Sequence, residues 1–206
     1  MKDLDIKKTT NKQAKQKLRE KLLKIRNSFS KTQQIFNAEC ILTKLMTYPP
    51  ICSGQHIAIY CSANGEVDTT IMLKKLQQMK KKCYVPVILS TKNREILFAP
   101  WDEAREMRAN RYGINEPVCG FDEYICPWHL DVVLVPLVAF DLMGNRLGMG
   151  GGFYDKSFLN RDKWHPAPLL IGIAHDFQCI AEGVPTDSWD IRLDAVFTEK
   201  NIYTFI

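Results

Sequence analysis

At 206 residues and 46% hydrophobic composition, the chain can bury roughly 70% of the surface its unfolded form exposes, which suits one core and one domain spanning 1–206. Seven cysteines without a C-x-x-C pair argue against a complete disulfide framework. The longest apolar run, residues 132–140, is interrupted by Pro136 and falls well short of the roughly 20 residues a membrane helix needs. With no apolar block near the amino terminus for a signal peptide, the expected address is the cytoplasm. The formal charge of +5 is concentrated: residues 1–30 hold ten Lys or Arg against three acids. Such an arm can bind nucleic acid, a membrane or a phosphorylated small molecule, or can be a solvated face.

Leu18, Leu22 and Ile25 fall at helical spacing with Lys and Arg opposite them, which predicts an amphipathic helix over 12–27 and leaves the first dozen residues without expected order. Ser30 and Gln33 have capping-box spacing ahead of a second helix that Pro49-Pro50 ends. Residues 56–60 read as a short buried strand, followed by a loop around Gly65 and a helix capped by Asp68 that runs to Lys80. Strands are predicted at 83–88 and 95–99, and 105–117 has no clear pattern. Residues 131–139 read as a strand covered on both faces. A glycine-rich turn, a helix over 153–159 and strands at 169–174 and 195–197 complete the pattern. Strands alternating with helices predict a layered, Rossmann-like α/β domain with a mostly parallel sheet flanked by helices.

The most informative segment joins the end of the 131–139 strand to the next helix: Arg146-Leu147-Gly148-Met149-Gly150-Gly151-Gly152-Phe153-Tyr154-Asp155. Ligands bind at such junctions in open α/β sheets, and uncovered N–H groups at a helix start favour an anion. A flexible surface turn is the simpler reading, but so many glycines carry a conformational entropy cost that a connector need not bear. A dinucleotide fingerprint fails because Phe153 stands where glycine is needed. A Walker loop fails because Asp155 does. An acid beside a polyphosphate calls for a bridging cation such as Mg²⁺, although Asp155 could equally serve helix-start electrostatics.

This decapeptide closely resembles the signature of the 5-formyltetrahydrofolate cyclo-ligase, or methenyltetrahydrofolate synthetase, family. Lys15-Gln16-Lys17-Leu18-Arg19 is similar to the family's ATP-binding helix, Glu66-Val67-Asp68-Thr69 to its substrate loop, and residues 184–194 to its metal segment. The resemblance implies an ATP- and Mg²⁺-dependent ligase acting on a formylated folate. It implies that Lys15, Arg19 and residues Arg146, Leu147, Gly148, Met149, Gly150, Gly151, Gly152, Phe153 and Tyr154 hold ATP. Cys61, Glu66 and the stretch from Met149 to Phe153 are implied to meet the folate, Arg146 and Glu66 to carry catalysis, and Asp155 and Asp194 to hold Mg²⁺. Many family members carry basic residues in the glycine loop where this chain has Met149 and Gly151. Tyr112 is a candidate aromatic contact, with core packing as the alternative. The four histidines show no zinc spacing and are assigned no catalytic role.

The expected partners are small molecules, with no nucleic acid and no membrane, and the expected state is a monomer or weak homo-oligomer. Two other classes share such a scaffold: a sugar-phosphate isomerase or CoA-transferase-like enzyme, and a ligand-sensing or nucleic-acid-binding module. Acids paired with a polyphosphate loop separate the ligase from the first. Salt-dependent nucleic-acid affinity without ATP turnover would mark the second.

Overall fold

The structure, a computed structural model, describes residues 2–110 and 113–205, with the side chains of residues 2–10 and the whole of Tyr112 outside the described part. Three helices lead the chain: α1 (Lys2–Asn27), α2 (Lys31–Leu45) and α3 (Pro49–Ser53). They are followed by β1 (His56–Ile59), α4 (Thr70–Gln78), β2 (Lys82–Ser90), β3 (Glu95–Pro100), β4 (Met107–Ala109) and β5 (Asn115–Pro117). The second half holds β6 (Val132–Pro136), β7 (Ala139–Phe140), β8 (Arg146–Leu147), α5 (Phe153–Ser157), β9 (Leu169–Ile173), β10 (Ala195–Phe197) and β11 (Ile202–Thr204).

Seven strands form one sheet in the order β11-β10-β9-β6-β1-β2-β3. The five inner strands run parallel, and β3 and β11 close the two edges antiparallel. The chain steps from β1 to β2 on one side and later places β6 on the other. The carboxyl ends of β1 and β6 therefore flank a topological switch point, where such sheets open a crevice. In β6, Val132 and Leu134 pack on one face with α2 and α4, and Val133 and Val135 on the other with Phe140 and Phe158. Burial on both faces is why this strand reads as a continuous apolar run.

Helix α1 docks through Leu22, with Leu18 beside it, onto Val138, Ala139 and Leu147 around the β7–β8 hairpin. It begins at Lys2, ten residues earlier than the apolar stripe predicts, and its buried face keeps Leu22 and Leu18 but turns Ile25 outward. Ile25 is 37% exposed, whereas Arg26 is 1% and Lys15 9% exposed. Lys15, Arg19, Leu22 and Arg26 follow the i, i+4, i+7, i+11 spacing of one helical face. Three cations on the inward face invert the expected amphipathic pattern, and their partners explain why.

Other differences are local. Pro49-Pro50 ends α2 but also starts α3, because proline suits the first helical turn. The segment without a clear pattern forms the short antiparallel β4–β5 hairpin. α5 is five residues long rather than seven. The unpredicted β11 alternates exposed and half-buried residues, a weak signal that pairing with β10 overrides. Among the described residues no helix is long and apolar enough to cross a membrane.

Candidate active site

A cavity of about 960 Å³ opens at the carboxyl edge of the sheet, with Tyr60 and Cys61 after β1 and Leu137 after β6 in its wall. Helix α1 forms one side, the glycine loop another, and Ile88 and Ile96 from β2 and β3 an apolar side. The position is the switch point that the strand order dictates.

On α1, the Lys15 ammonium lies 2.7 Å from an oxygen of Asp187 and 2.6 Å from one of Asp190. Burial alone would lower its pKa, but the two carboxylates outweigh this and hold it above the usual lysine value. One turn on, Arg19 donates through Nε to the Gly148 carbonyl at 2.8 Å, and burial pulls its pKa down, opposed by the charge of Asp190. Both cations therefore reach the glycine loop or the acids beside it.

The loop itself is shaped by backbone that glycine alone adopts readily: Gly150 has φ +99° and Gly152 φ +69°. A methyl group at Gly150 would lie 3.5 Å from the Arg19 guanidinium, and one at Gly152 3.2 Å from that of Arg94 on the β2–β3 turn. Met149 and Gly151 bring no charge, so cations come to the loop from other elements. With α5 only five residues long, its dipole adds little, and the anion-binding potential rests on these side chains and the open loop N–H groups.

Arg146 is 5% exposed, and its Nη2 donates to Asp155 Oδ1 at 2.8 Å. The same oxygen accepts from the Ile191 backbone at 3.2 Å. The Arg146 guanidinium carbon sits 5.7 Å from the centre of the Tyr154 ring, within cation–π range. Arg146 Nε and the Tyr154 hydroxyl are buried without partners among the described residues. Burial pushes the Tyr154 phenol far above its usual range, eased by the Arg146 charge. Buried orphan donors are costly, and here they border the cavity.

Asp155, Asp187 and Asp190 all border the cavity, but the structure does not bring Asp194 to them. Asp194 precedes β10, where both its oxygens take the Arg161 guanidinium at 2.6 and 2.7 Å and one also accepts from the Leu170 N–H. Its lone pairs are committed to holding β9, β10 and Arg161 together. Asp194 is therefore turned to Arg161 and not toward Asp155, whereas Asp190, next to the Ile191 whose N–H Asp155 binds, borders the cavity.

At the other end of the cavity, Glu66 Oε2 accepts from the Ala63 N–H at 3.0 Å, and Oε1 lies 3.8 Å from Arg26 Nη1. Burial raises the Glu66 pKa, and Arg26 and the Ala63 N–H oppose the rise. Cys61 lines the same end, with its thiol pushed up to about 11 by burial and by Glu116, so it is neutral at physiological pH. His175 supports this loop from beneath. Its Nδ1 accepts from Asn37 at 2.9 Å, leaving Nε2 to donate to the Gly65 carbonyl at 3.3 Å, and burial lowers its pKa.

Sequence reasoning missed Asp187, Asp190, Arg26 and Arg94. Asp190 lay within the segment likened to a metal site, and Arg26 at i+7 from Arg19 was the available signal of a cationic inward face. Among the described residues no three His, Cys, Asp or Glu side chains form a ready metal cluster. Two carboxylates already gathered round one positive charge, Lys15, do fit a Mg²⁺ ion that draws its other ligands from phosphates and water.

The chain is similar over most of its length to proteins of one family. A model described as the 5-formyltetrahydrofolate cyclo-ligase family matches residues 11–199. The 5-formyltetrahydrofolate cyclo-ligase of Escherichia coli K12 is 36% identical over 178 residues, covering 86% of this chain and 96% of that protein. The Haemophilus influenzae protein of the same name is 33% identical, over 89% of this chain and 96% of its own. The solution structure of Aquifex aeolicus 5,10-methenyltetrahydrofolate synthetase superposes with a TM-score of 0.79 at 32% identity, covering 93% of this chain and 92% of that one. With the fold, the glycine signature and the whole-length similarity in agreement, this chain belongs to the 5-formyltetrahydrofolate cyclo-ligase family.

Proposed function

We propose that the chain uses ATP and Mg²⁺ to convert 5-formyltetrahydrofolate to 5,10-methenyltetrahydrofolate, releasing ADP and phosphate. The observation that carries this reading is the division of one cavity into a phosphate end, where cations and acids converge, and an apolar-walled end. The first has Lys15, Arg19, Arg146 and the glycine loop facing Asp155, Asp187 and Asp190. The second ends in the Glu66 carboxylate.

In this reading the formyl oxygen takes the terminal phosphoryl group of ATP while the bond to ADP breaks. The N10 lone pair then attacks the formyl carbon, N10 loses its proton, and phosphate leaves with the former formyl oxygen. No protein nucleophile is needed, so the work of the protein is positioning and charge neutralisation. Lys15, Arg19 and the loop from Arg146 to Tyr154 bind the nucleotide phosphates. Arg146, held by Asp155, faces charge developing on the transferred group. Asp187 and Asp190, the two acids gathered round Lys15, would hold Mg²⁺ with Asp155 of the loop beside them, and the ion when bound supplies further neutralisation of phosphate charge. Glu66 accepts N–H donors of the pterin and orients it, and Met149 to Phe153 with Cys61 line the folate path. A single soluble cytoplasmic protomer suffices for this chemistry, since all of these residues come from one chain.

The test is direct: purified protein with 5-formyltetrahydrofolate, ATP and Mg²⁺, followed by absorbance of the conjugated methenyl product. Product that requires all three additions supports the reading. Absence of product with a folded protein, or product without ATP, overturns it.

A further inference from the structure

Arg26 has no role in the reaction described above, yet it is the most deeply buried cation among the described residues, at 1% exposed. Its Nε donates to the Asn64 carbonyl at 2.9 Å, its Nη1 to the Leu137 carbonyl at 3.3 Å, and Nη1 also lies 3.8 Å from Glu66 Oε1. One guanidinium thus ties α1 to the loop after β1 and to the end of β6. Its Nη2 is buried without a partner among the described residues, a cost that a side chain placed only for packing need not carry. Asn64, which supplies the first carbonyl, has φ +50°, a left-handed conformation that Asn adopts more readily than most side-chain-bearing residues.

We propose that Arg26 is a positioning residue that keeps the Glu66 carboxylate ionised and aimed into the cavity, and that it thereby links folate recognition to the helix carrying Lys15 and Arg19. This rests on the placement of Glu66 at the folate. The groups that sense Glu66 are Arg26 on α1, Tyr60 at the end of β1 and Tyr154 on α5; Asp68 acts on Tyr60, and His175 below the loop senses Arg26. Both tyrosines lie far above their usual pKa, and His175 below its own, so all three are neutral near pH 7. Among the described residues Arg26 is the one nearby cation that favours the Glu66 anion against burial. Removing it leaves burial unopposed except by the Ala63 N–H, and the carboxylate then takes up its proton at a higher pH.

The experiment measures 5-formyltetrahydrofolate binding without nucleotide, by calorimetry, from about pH 4.5, near the ordinary glutamate value, to about pH 8.5, so that a carboxyl raised from that value titrates inside the window. Wild type, Arg26→Gln, Arg26→Lys and Glu66→Gln are compared after melting curves establish that each is folded. The acid limb of the binding curve is expected to move to higher pH in Arg26→Gln and by less in Arg26→Lys, with affinities converging at the alkaline end. Between the two limbs, each unit of displacement appears as a loss of about tenfold in affinity. A uniform loss with an unmoved limb overturns the proposal and makes Arg26 a structural residue only. If Arg26→Gln does not fold, Arg26→Lys decides: an unmoved limb there overturns the proposal. Wild-type binding by Glu66→Gln, or no binding by the wild type, overturns the placement of Glu66 and the inference with it. An unmoved limb beside an impaired Glu66→Gln overturns the inference alone.

Discussion

The Lys15 ammonium, near the start of the chain, lies 2.6 Å from the Asp190 carboxylate near its end. The same ammonium holds Asp187 at 2.7 Å, so one positive charge occupies the position between two acids that a divalent cation would take. Lys15→Met is therefore expected to have two effects of opposite sign. ATP affinity falls about tenfold or more through loss of a phosphate contact, and Mg²⁺ affinity without nucleotide rises because two carboxylates lose their internal cation. Calorimetry with each ligand alone checks both. A parallel fall in both affinities would mean that Lys15 organises the acids rather than competing for them.

The same pair makes a pH prediction. Lys15 has a folded-state pKa above its unfolded value near 10.5, so its contribution to stability is complete below that value and is lost as pH rises through the higher folded pKa. The melting temperature of wild type should exceed that of Lys15→Met at neutral pH, and the gap should close in strongly alkaline buffer. A gap independent of pH would assign the loss to packing of the lysine stem.

Three aspartates that look alike in sequence separate sharply in structure. Asp155→Asn and Asp190→Asn are expected to raise the Mg²⁺ concentration needed for half-maximal activity, besides whatever stability each loses with its partner Arg146 or Lys15. Asp194→Asn breaks a bidentate pair in which the carboxylate is almost fully buried, at a cost of about 3 kcal/mol, and leaves the Mg²⁺ dependence unchanged. Magnesium titrations beside denaturant melts check this. A raised Mg²⁺ requirement in Asp194→Asn alone would place Asp194, rather than Asp190, at the metal.

The sheet was legible because burial leaves a plain trace: Val132 to Val135 read as a doubly covered strand, and the glycine run marked the edge where the cavity opens. The inward face of α1 was not legible in the same way. Helical periodicity assigns cations to solvent, and Lys15, Arg19 and Arg26 are buried only because Asp187, Asp190, Gly148 and Glu66 arrive from elsewhere in the chain to meet them. Asp190 and Asp194 stand four apart in one segment, and nothing local distinguishes them. The bidentate grip of Arg161 on Asp194 is a long-range contact, and it turns Asp194 away from the cavity that Asp190 borders.

Two glycines with positive φ separate folding from ligand binding. A methyl group on Gly144, at φ +79°, would lie 2.9 Å from the Leu193 carbonyl and the Phe205 ring, so Gly144→Ala should cost about 1–3 kcal/mol while leaving ATP affinity intact in the folded protein. Gly150, at φ +99°, has only ordinary contact with Arg19, and strain there reshapes the loop rather than the core. Gly150→Ala should lower ATP affinity about tenfold. Melting curves and nucleotide titrations on both variants check the contrast, and loss of ATP binding in Gly144→Ala would contradict it.

Arg146 has its Nη2 fixed by Asp155, while its buried Nε has no partner among the described residues. A guanidinium pinned at one corner can still offer its remaining N–H groups in a set direction, which a lysine ammonium at the end of a flexible stem cannot do. Arg146→Lys should therefore restore only part of what Arg146→Ala loses. Loss of one such contact to the transferred phosphoryl group costs about 2–4 kcal/mol in the transition state, or roughly 30- to 1,000-fold in rate. If Arg146 acts on that group, kcat falls and the KM for ATP changes little; if it only anchors the nucleotide, KM rises while kcat holds. Arg146→Ala also leaves Asp155 without its cation, so part of any loss could come through the metal site. Gly148→Ala separates the two contributions: its new methyl group would lie 2.9 Å from Arg146 Nη1 and displaces the guanidinium while leaving both charges in place. A kcat loss in Gly148→Ala with an unchanged Mg²⁺ requirement assigns the effect to the aim of Arg146. Near-wild-type kinetics in Arg146→Ala and Gly148→Ala alike would reduce Arg146 to a support for Asp155.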